Sequence, residues 1–297
     1  MTGRDRTVLV GIGGWDGAAE AVRWAARLAE GRDLELELVH CLQTAAPAGF
    51  GGPGVLFPDS PADSGCLAAA GADLAVSVED APPVRNEVYT DSAPALLIDR
   101  SRDARMVVLG RTGTDGVSGM LAGATAAAVV SNAGCPVAVV RGRRGDGPVP
   151  LDGPVAVGVD TSPNSEAAIA AAFEEASFRK VPLVAVHAWA DVVCDAIERT
   201  ARPAAERDPR RQPVEERLLA NRLDGWQEKY PDVEVRRKLV RDRPRQVLLE
   251  ESERAQLIVV GSRGRGGFAG MLLGSTSQAL IHHSSCPVLV VRPETRR

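Results

Sequence analysis

Two stretches of this 297-residue chain are copies of each other. Gly110–Arg141 (GRTGTDGVSGMLAGATAAAVVSNAGCPVAVVR) and Gly261–Arg292 (GSRGRGGFAGMLLGSTSQALIHHSSCPVLVVR) align without a gap, with 15 of 32 positions identical at an offset of 151. Their openings match too: VLVGIGG at Val8–Gly14 parallels VAVGVDT at Val155–Thr161 at an offset of 147, and that offset also aligns His40 in LELELVHC with His187 in PLVAVHAW. A period near 150 residues is far longer than a solenoid repeat. The chain is therefore a duplicated domain, with copies over 1–147 and 148–297. Gly, Pro and charge in Arg143–Gly153 (RRGDGPVPLDG) mark the linker between them.

Within each copy short apolar runs alternate with helical patterns. In the second, Val155–Val159, Leu183–His187, Leu257–Val260 and Val288–Val291 have the β-branched, continuous apolar character of buried strands, and Val233–Leu239 alternates like an edge strand. Ser162-Pro163 supplies an N-cap and a first-turn proline ahead of Ile169, Ala172, Phe173 and Ala176, which share one helical face. Glu215–Lys229, Pro244–Glu253 and Ser275–His282 continue the helices. The first copy repeats the scheme with strands at Val8–Val10, Leu34–Val39, Val107–Leu109 and Val137–Val140, and helices at Val22–Ala29 and Leu96–Arg100. Apolar strands alternating with helices predict a parallel sheet covered on both faces, a doubly wound α/β fold formed twice. Each last strand is expected at a sheet edge, so the two copies are expected to pair through Val137–Val140 and Val288–Val291 about a pseudo-twofold axis. Thr44–Gly71 and Asp191–Pro213 have loop-like composition and read as surface insertions, or as lids over a site at the strand ends.

Composition narrows the function. A net charge of −4 disfavours a bulk DNA or RNA binder. No apolar run has the length of a membrane helix, and MTGRDRTVLV carries no signal-peptide core, so a cytoplasmic protein is expected. Thirty-two of 35 cations are Arg, which suits phosphate contacts but equally follows from GC-rich coding. Five scattered cysteines without a CxxC pair argue against a zinc site or disulfide scaffold. Cys135 and Cys286, each before a proline, read as packing residues, and Arg199–Arg217 as a solvated face. His40 and His187 read as core histidines with satisfied hydrogen bonds, and the adjacent His282-His283 have poor metal spacing.

In open parallel sheets ligands bind beyond the carboxyl ends of the strands, where the glycine-dense loops fall. After Leu257–Val260 comes Gly261-Ser-Arg-Gly264, then nine residues, then Gly274-Ser275-Thr276 opening a helix. Glycine lets backbone N–H groups approach a phosphate, a helix N-terminus adds aligned donors, and Arg263 can fork onto phosphate oxygens. The pattern describes a polyphosphate cradle. No GxxxxGK[ST] is present, and Gly11-Ile-Gly13-Gly14-Trp15-Asp16 breaks GxGxxG at its last position, which excludes a Walker-type NTPase and disfavours a dinucleotide dehydrogenase.

The G-x2-G-x9-G-S pattern, with VGVD, VHAW and the terminal CPVLVV, resembles the ATP-binding signature of the universal stress protein family over essentially the whole chain. The resemblance implies two adenine-nucleotide alpha-hydrolase-like domains, each a five-stranded parallel sheet flanked by helices. It places Gly158 and Asp160 at the adenosine end and Ala188 against adenine through its backbone. Val260, Gly261, Arg263, Gly264, Gly274, Ser275 and Thr276 would wrap the ribose and phosphates. The first copy departs from the pattern. It keeps Gly110, Gly113, Gly123 and Thr125, but Gly13 stands opposite Asp160, Thr112 opposite Arg263 and Ala124 opposite Ser275. Asp16 either substitutes for the missing carboxylate or caps the following helix.

The implied function is ATP binding by a nucleotide-responsive stress regulator, with Mg²⁺ carried in on the phosphates. No general base or arginine-finger arrangement accompanies the cradle, so hydrolysis is expected to be slow at most. Two alternatives stay open: a nucleotidyl-transferase-like enzyme of the same fold, or an interaction module that binds no nucleotide. Whether two chains form a homodimer is left open as well.

Overall fold

The computed structural model describes residues 6–12, 15–41, 73, 75, 82–110, 125–143, 147–160, 162–189, 211–241, 243–264 and 273–293. The chain divides into two compact units, Met1–Val149 with Pro287–Val290, and Pro150–Cys286 with Val291–Arg297.

In the first unit β1 (Thr7–Ile12) leads into α1 (Trp15–Ala29), β2 (Glu35–Cys41) and β3 (Val84–Tyr89). Then follow α2 (Ala93–Arg100), β4 (Met106–Gly110), helical residues 125–132 (α3) and β5 (Val137–Val140). β1 pairs parallel with both β2 and β4, β2 with β3, and β4 with β5, giving five parallel strands in the order β3-β2-β1-β4-β5. The connections are long because parallel strands need crossovers. Every residue of β5 and the first four of β4 are buried, the signature of a sheet covered on both faces. β10 (Val288–Val291) supplies Val288, Leu289 and Val290 to this unit, antiparallel to Val139, Ala138 and Val137 of β5.

The second unit repeats the plan. It contains β6 (Val155–Gly158), α4 (Pro163–Arg179), β7 (Leu183–Ala188), α5 (Arg211–Lys229), β8 (Val235–Val240), α6 (Pro244–Ser252), β9 (Leu257–Gly261) and α7 (Ser275–His283). β6 pairs parallel with β7 and β9, and β7 with β8. The registers copy the first unit at the sequence offsets: Leu36↔Val84 becomes Leu183↔Val235. α4 starts as its sequence dictates. Ser162 is the N-cap, its hydroxyl accepting from the Ser165 N–H at 3.3 Å, and proline occupies the first turn.

Two differences from the sequence reading concern local order. β3, VRNEVY, is too polar to announce itself, yet it lies 151 residues before the exposed edge strand VRRKLV of β8. α1 begins at Trp15, so Asp16 lies inside the helix and is not its N-cap; its side chain lies outside the described residues. Thr44–Gly71 also lies outside them. Of 191–213 only the last three residues are described, and they open α5. Among the described residues no helix is long and apolar enough to cross a membrane.

Candidate nucleotide site

β6, β7 and β9 run parallel, so their carboxyl ends open on one side of the second unit. Asp160 leaves β6 there, and four hydrogen bonds settle its surroundings. The Asp160 N–H donates to Ser165 Oγ at 2.9 Å, while the Ser162 N–H and Oγ–H donate to Asp160 Oδ1 at 2.8 and 2.6 Å. The Ser162 hydroxyl in turn accepts from Ser165, as described for the α4 cap. One carboxylate oxygen thus braces Ser162, the N-cap of α4, so Asp160 supports the helix start without capping it. The other oxygen, Oδ2, lies 2.7 Å from where a Cβ on Gly264 would sit. Because Oδ1 is pinned, the carboxylate cannot swing away freely, and position 264 requires glycine.

Hydrogen bonds clamp the glycine loop to the helix beyond it. Ser277 Oγ donates to the Gly261 carbonyl at 2.7 Å, the Gly274 N–H to the Ser262 carbonyl at 2.8 Å, and the Ser262 N–H to the Val291 carbonyl at 2.8 Å. Gly261–Gly264 and Gly274–Ser277 therefore run side by side. α7 begins at Ser275 with Gly274 as N-cap and no side-chain cap, which leaves first-turn N–H groups without a side-chain acceptor. Arg263, Gly264 and Ser275 are exposed and Thr276 is half-buried. Exposed donors, a guanidinium and a close-approach glycine beside a carboxylate suit an anionic ligand that also carries hydroxyl or amino donors.

Three anticipated residues have packing duties. A Cβ on Gly158 would meet Leu248 Cδ1 at 3.1 Å and Val260 Cγ1 at 3.3 Å, and a Cβ on Gly261 would meet Asn164 Cβ at 2.7 Å. Gly158, Val260 and Gly261 thus offer a ligand backbone alone. Ala188, buried at the end of β7, extends past the last β6–β7 register pair, Gly158↔Val186.

Sequence reasoning passed over two neighbours. Asn164, in the first turn of α4, is 8% exposed and its Oδ1 has no hydrogen-bond partner. Arg292 follows Val291 just as Arg263 follows Ser262 across the hydrogen bond that joins them. Burial, and then the Arg263 charge, hold the Arg292 guanidinium below its ordinary range. The repeat contained that signal, since Arg141 and Arg292 end the two matched stretches.

His187 is fully buried, with Nδ1 2.7 Å from the Val159 carbonyl and Nε2 2.9 Å from Glu215 Oε2. It is a satisfied core histidine, as its copy His40 is at Nδ1, 3.0 Å from the Ile12 carbonyl. Burial pushes the Cys135 thiol up to about 12, consistent with an inert packing group. Among the described residues no three His, Cys, Asp or Glu side chains gather as a metal site. In the first unit Gly110 ends β4, and Thr125 is helical. Gly13, Thr112, Gly113, Gly123 and Ala124 lie outside the described residues.

The universal stress protein family matches this chain twice, over residues 5–141 and 153–292. A universal stress protein of Mycobacterium tuberculosis is 41% identical over 299 residues, covering 96% of each chain. One from Mycolicibacterium smegmatis is 38% identical over 304 residues, covering 96% of this chain and 97% of its own. Among solved structures, a universal stress protein from Archaeoglobus fulgidus superimposes with a TM-score of 0.62 at 17% identity, covering 97% of this chain and 96% of that one, which supports the fold.

Proposed function

Because the chain belongs to the universal stress protein family, with two copies of its domain in tandem, we propose that its second half binds ATP and acts as a nucleotide-responsive stress regulator in the cytoplasm. The observation that carries this reading is the apposition of the Asp160 carboxylate and Gly264, beside a helix that starts at Gly274 without a side-chain cap. Asp160 would accept a hydrogen bond from ribose or base, and the backbone of Ala188 would meet adenine. Gly261, Arg263, Gly264, Gly274, Ser275 and Thr276 would hold the phosphates, with Gly158 and Val260 shaping the floor. Mg²⁺ would enter on the phosphate oxygens and neutralise part of their charge. Hydrolysis, if present, would be slow, since none of these residues is placed as a general base for water.

Calorimetric titration of the full chain with Mg-ATP tests the reading. One tight site per chain is expected, and Asp160→Ala should remove it. A lost hydrogen bond in a desolvated site costs about 1–3 kcal/mol, roughly tenfold or more in affinity. Two equal tight sites, or binding untouched by Asp160→Ala, would reject the assignment. AMP covalently transferred to an acceptor during incubation would instead favour the nucleotidyl-transferase alternative.

A further inference from the structure

One buried polar contact stands behind the site without belonging to it. His187 lies between two anticipated ligand positions: it immediately precedes Ala188 in β7, and its Nδ1 is 2.7 Å from the carbonyl of Val159, which immediately precedes Asp160. A carbonyl only accepts, so Nδ1 carries a hydrogen and donates it. The far side of the ring faces Glu215 in the first turns of α5, with Nε2 2.9 Å from Oε2. A proton between those two atoms completes the contact, and both groups are buried, His187 at 0% and Glu215 at 9% exposure. In a dry environment such a bond holds the ring in one orientation. The first unit repeats the backbone contact, since His40 Nδ1 meets the carbonyl of Ile12 in the same way.

We infer that His187 is a positioning residue of the second unit's site: it fixes the exits of β6 and β7, and so Asp160 and Ala188, relative to each other, and Glu215 of α5 holds the imidazole to that task. The inference rests on the nucleotide reading for its purpose, but its geometry stands without it. Movement of the α5 start would reach the adenosine end through one imidazole.

The test uses the full chain with Glu215→Leu, His187→Asn and His187→Gln, and with Asp160→Ala as an independent control. Asn places its amide N–H near the position of Nδ1 and keeps the bond to Val159, whereas Gln reaches toward Glu215 and gives that bond up. Mg-ATP affinity should stay within about threefold of wild type for His187→Asn and fall by roughly tenfold for His187→Gln and Glu215→Leu, the size of one lost buried hydrogen bond. A packing role alone does not produce that order, because Gln replaces more of the ring's volume than Asn does. If wild type binds, Asp160→Ala does not, and both Gln and Leu variants bind like wild type, the inference is overturned while the nucleotide reading stands. If wild type binds no nucleotide, that reading fails and the inference is judged on the ligand-free chain. There hydrogen exchange at the Asp160 and Ala188 amides should be faster in Glu215→Leu and His187→Gln but stay near wild type in His187→Asn. Wild-type exchange in all three variants would overturn it. Should Glu215→Leu fail to fold, the Asn–Gln contrast decides alone.

Discussion

The two units keep the same frame and differ at the mouth of the site. Gly11 and Gly158 face equivalent leucines, Leu97 and Leu248, at the same point of the sheet. Ser101 Oγ donates to the Ile98 carbonyl and accepts from the Gly134 N–H; Ser252 repeats this with Leu249 and Ser285. Gly110 and Gly261 both abut the first turn of the helix after the central strand. That turn is where the copies part. The second unit has Asp160, Ser162, Asn164 and Ser165; at the same offset the first has Gly13, Trp15, Gly17 and Ala18. Every polar group of the network is missing at once. Packing constraints act on both copies equally, since each must bury its own sheet, whereas a polar network at a strand end buries nothing and can be lost from one copy.

The shared frame is the place where the largest effects are expected. Gly110→Val would set a Cβ 2.2 Å from the Gly17 carbonyl oxygen, and Gly261→Val a Cβ 2.7 Å from Asn164 Cβ. Each should cost about 3 kcal/mol or more, Gly110 the greater because its obstacle is backbone. Urea unfolding of the full chain measures both. Wild-type stability in either variant would break the equivalence of the two frames.

A reversed ion pair ranks next. In the first unit Arg100 of α2 meets Glu87 of β3 at 3.5 Å; in the second, Glu251 of α6 meets Lys238 of β8 at 2.6 Å. The offset of 151 relates the positions, and the charges have exchanged sides. Lys238→Glu would leave two carboxylates facing each other and should destabilise by about 1–3 kcal/mol, since Glu251 is buried while Lys238 is partly solvated. Adding Glu251→Arg should restore most of that loss, and a double-mutant cycle with no coupling would sharpen the contrast by showing that the pair is incidental. Ser162→Ala follows at about 1 kcal/mol, the worth of an N-cap, with weaker Mg-ATP binding because Asp160 Oδ1 loses a donor. Smallest of all is Ala124→Ser combined with Gly13→Asp in the first unit. Trp15 and Ala18 stand where Ser162 and Ser165 do, so the new carboxylate lacks those two hydroxyl partners, and titration should still give one site per chain.

Much of this was legible in the residues because the duplication checks itself: apolar runs such as Val155–Val159 and glycine spacings such as Gly261–Gly264–Gly274 recur in both copies. β3 escaped because an edge strand exposes most of its side chains and needs no apolar pattern. Asn164 and the His187–Glu215 contact were illegible for another reason. Each depends on which residues meet across distant segments, and spacing along one element carries no trace of that. The mixed role of Asp160 also needed coordinates, since one oxygen serves the turn and the other faces Gly264.

β10 is written at the far end of the chain, yet Val288–Val290 complete the sheet of the first unit beside β5. During synthesis the first unit therefore waits for the last strand to leave the ribosome, with β5 an open apolar edge through the whole translation of the second copy. Such an edge is a template for strands of neighbouring nascent chains, and long-range closure of this kind is slow. A message cut short before residue 288 would release a protein that carries the whole Gly261–Thr276 loop but leaves β5 without its antiparallel partner, and its fate would be decided by chaperones and proteases.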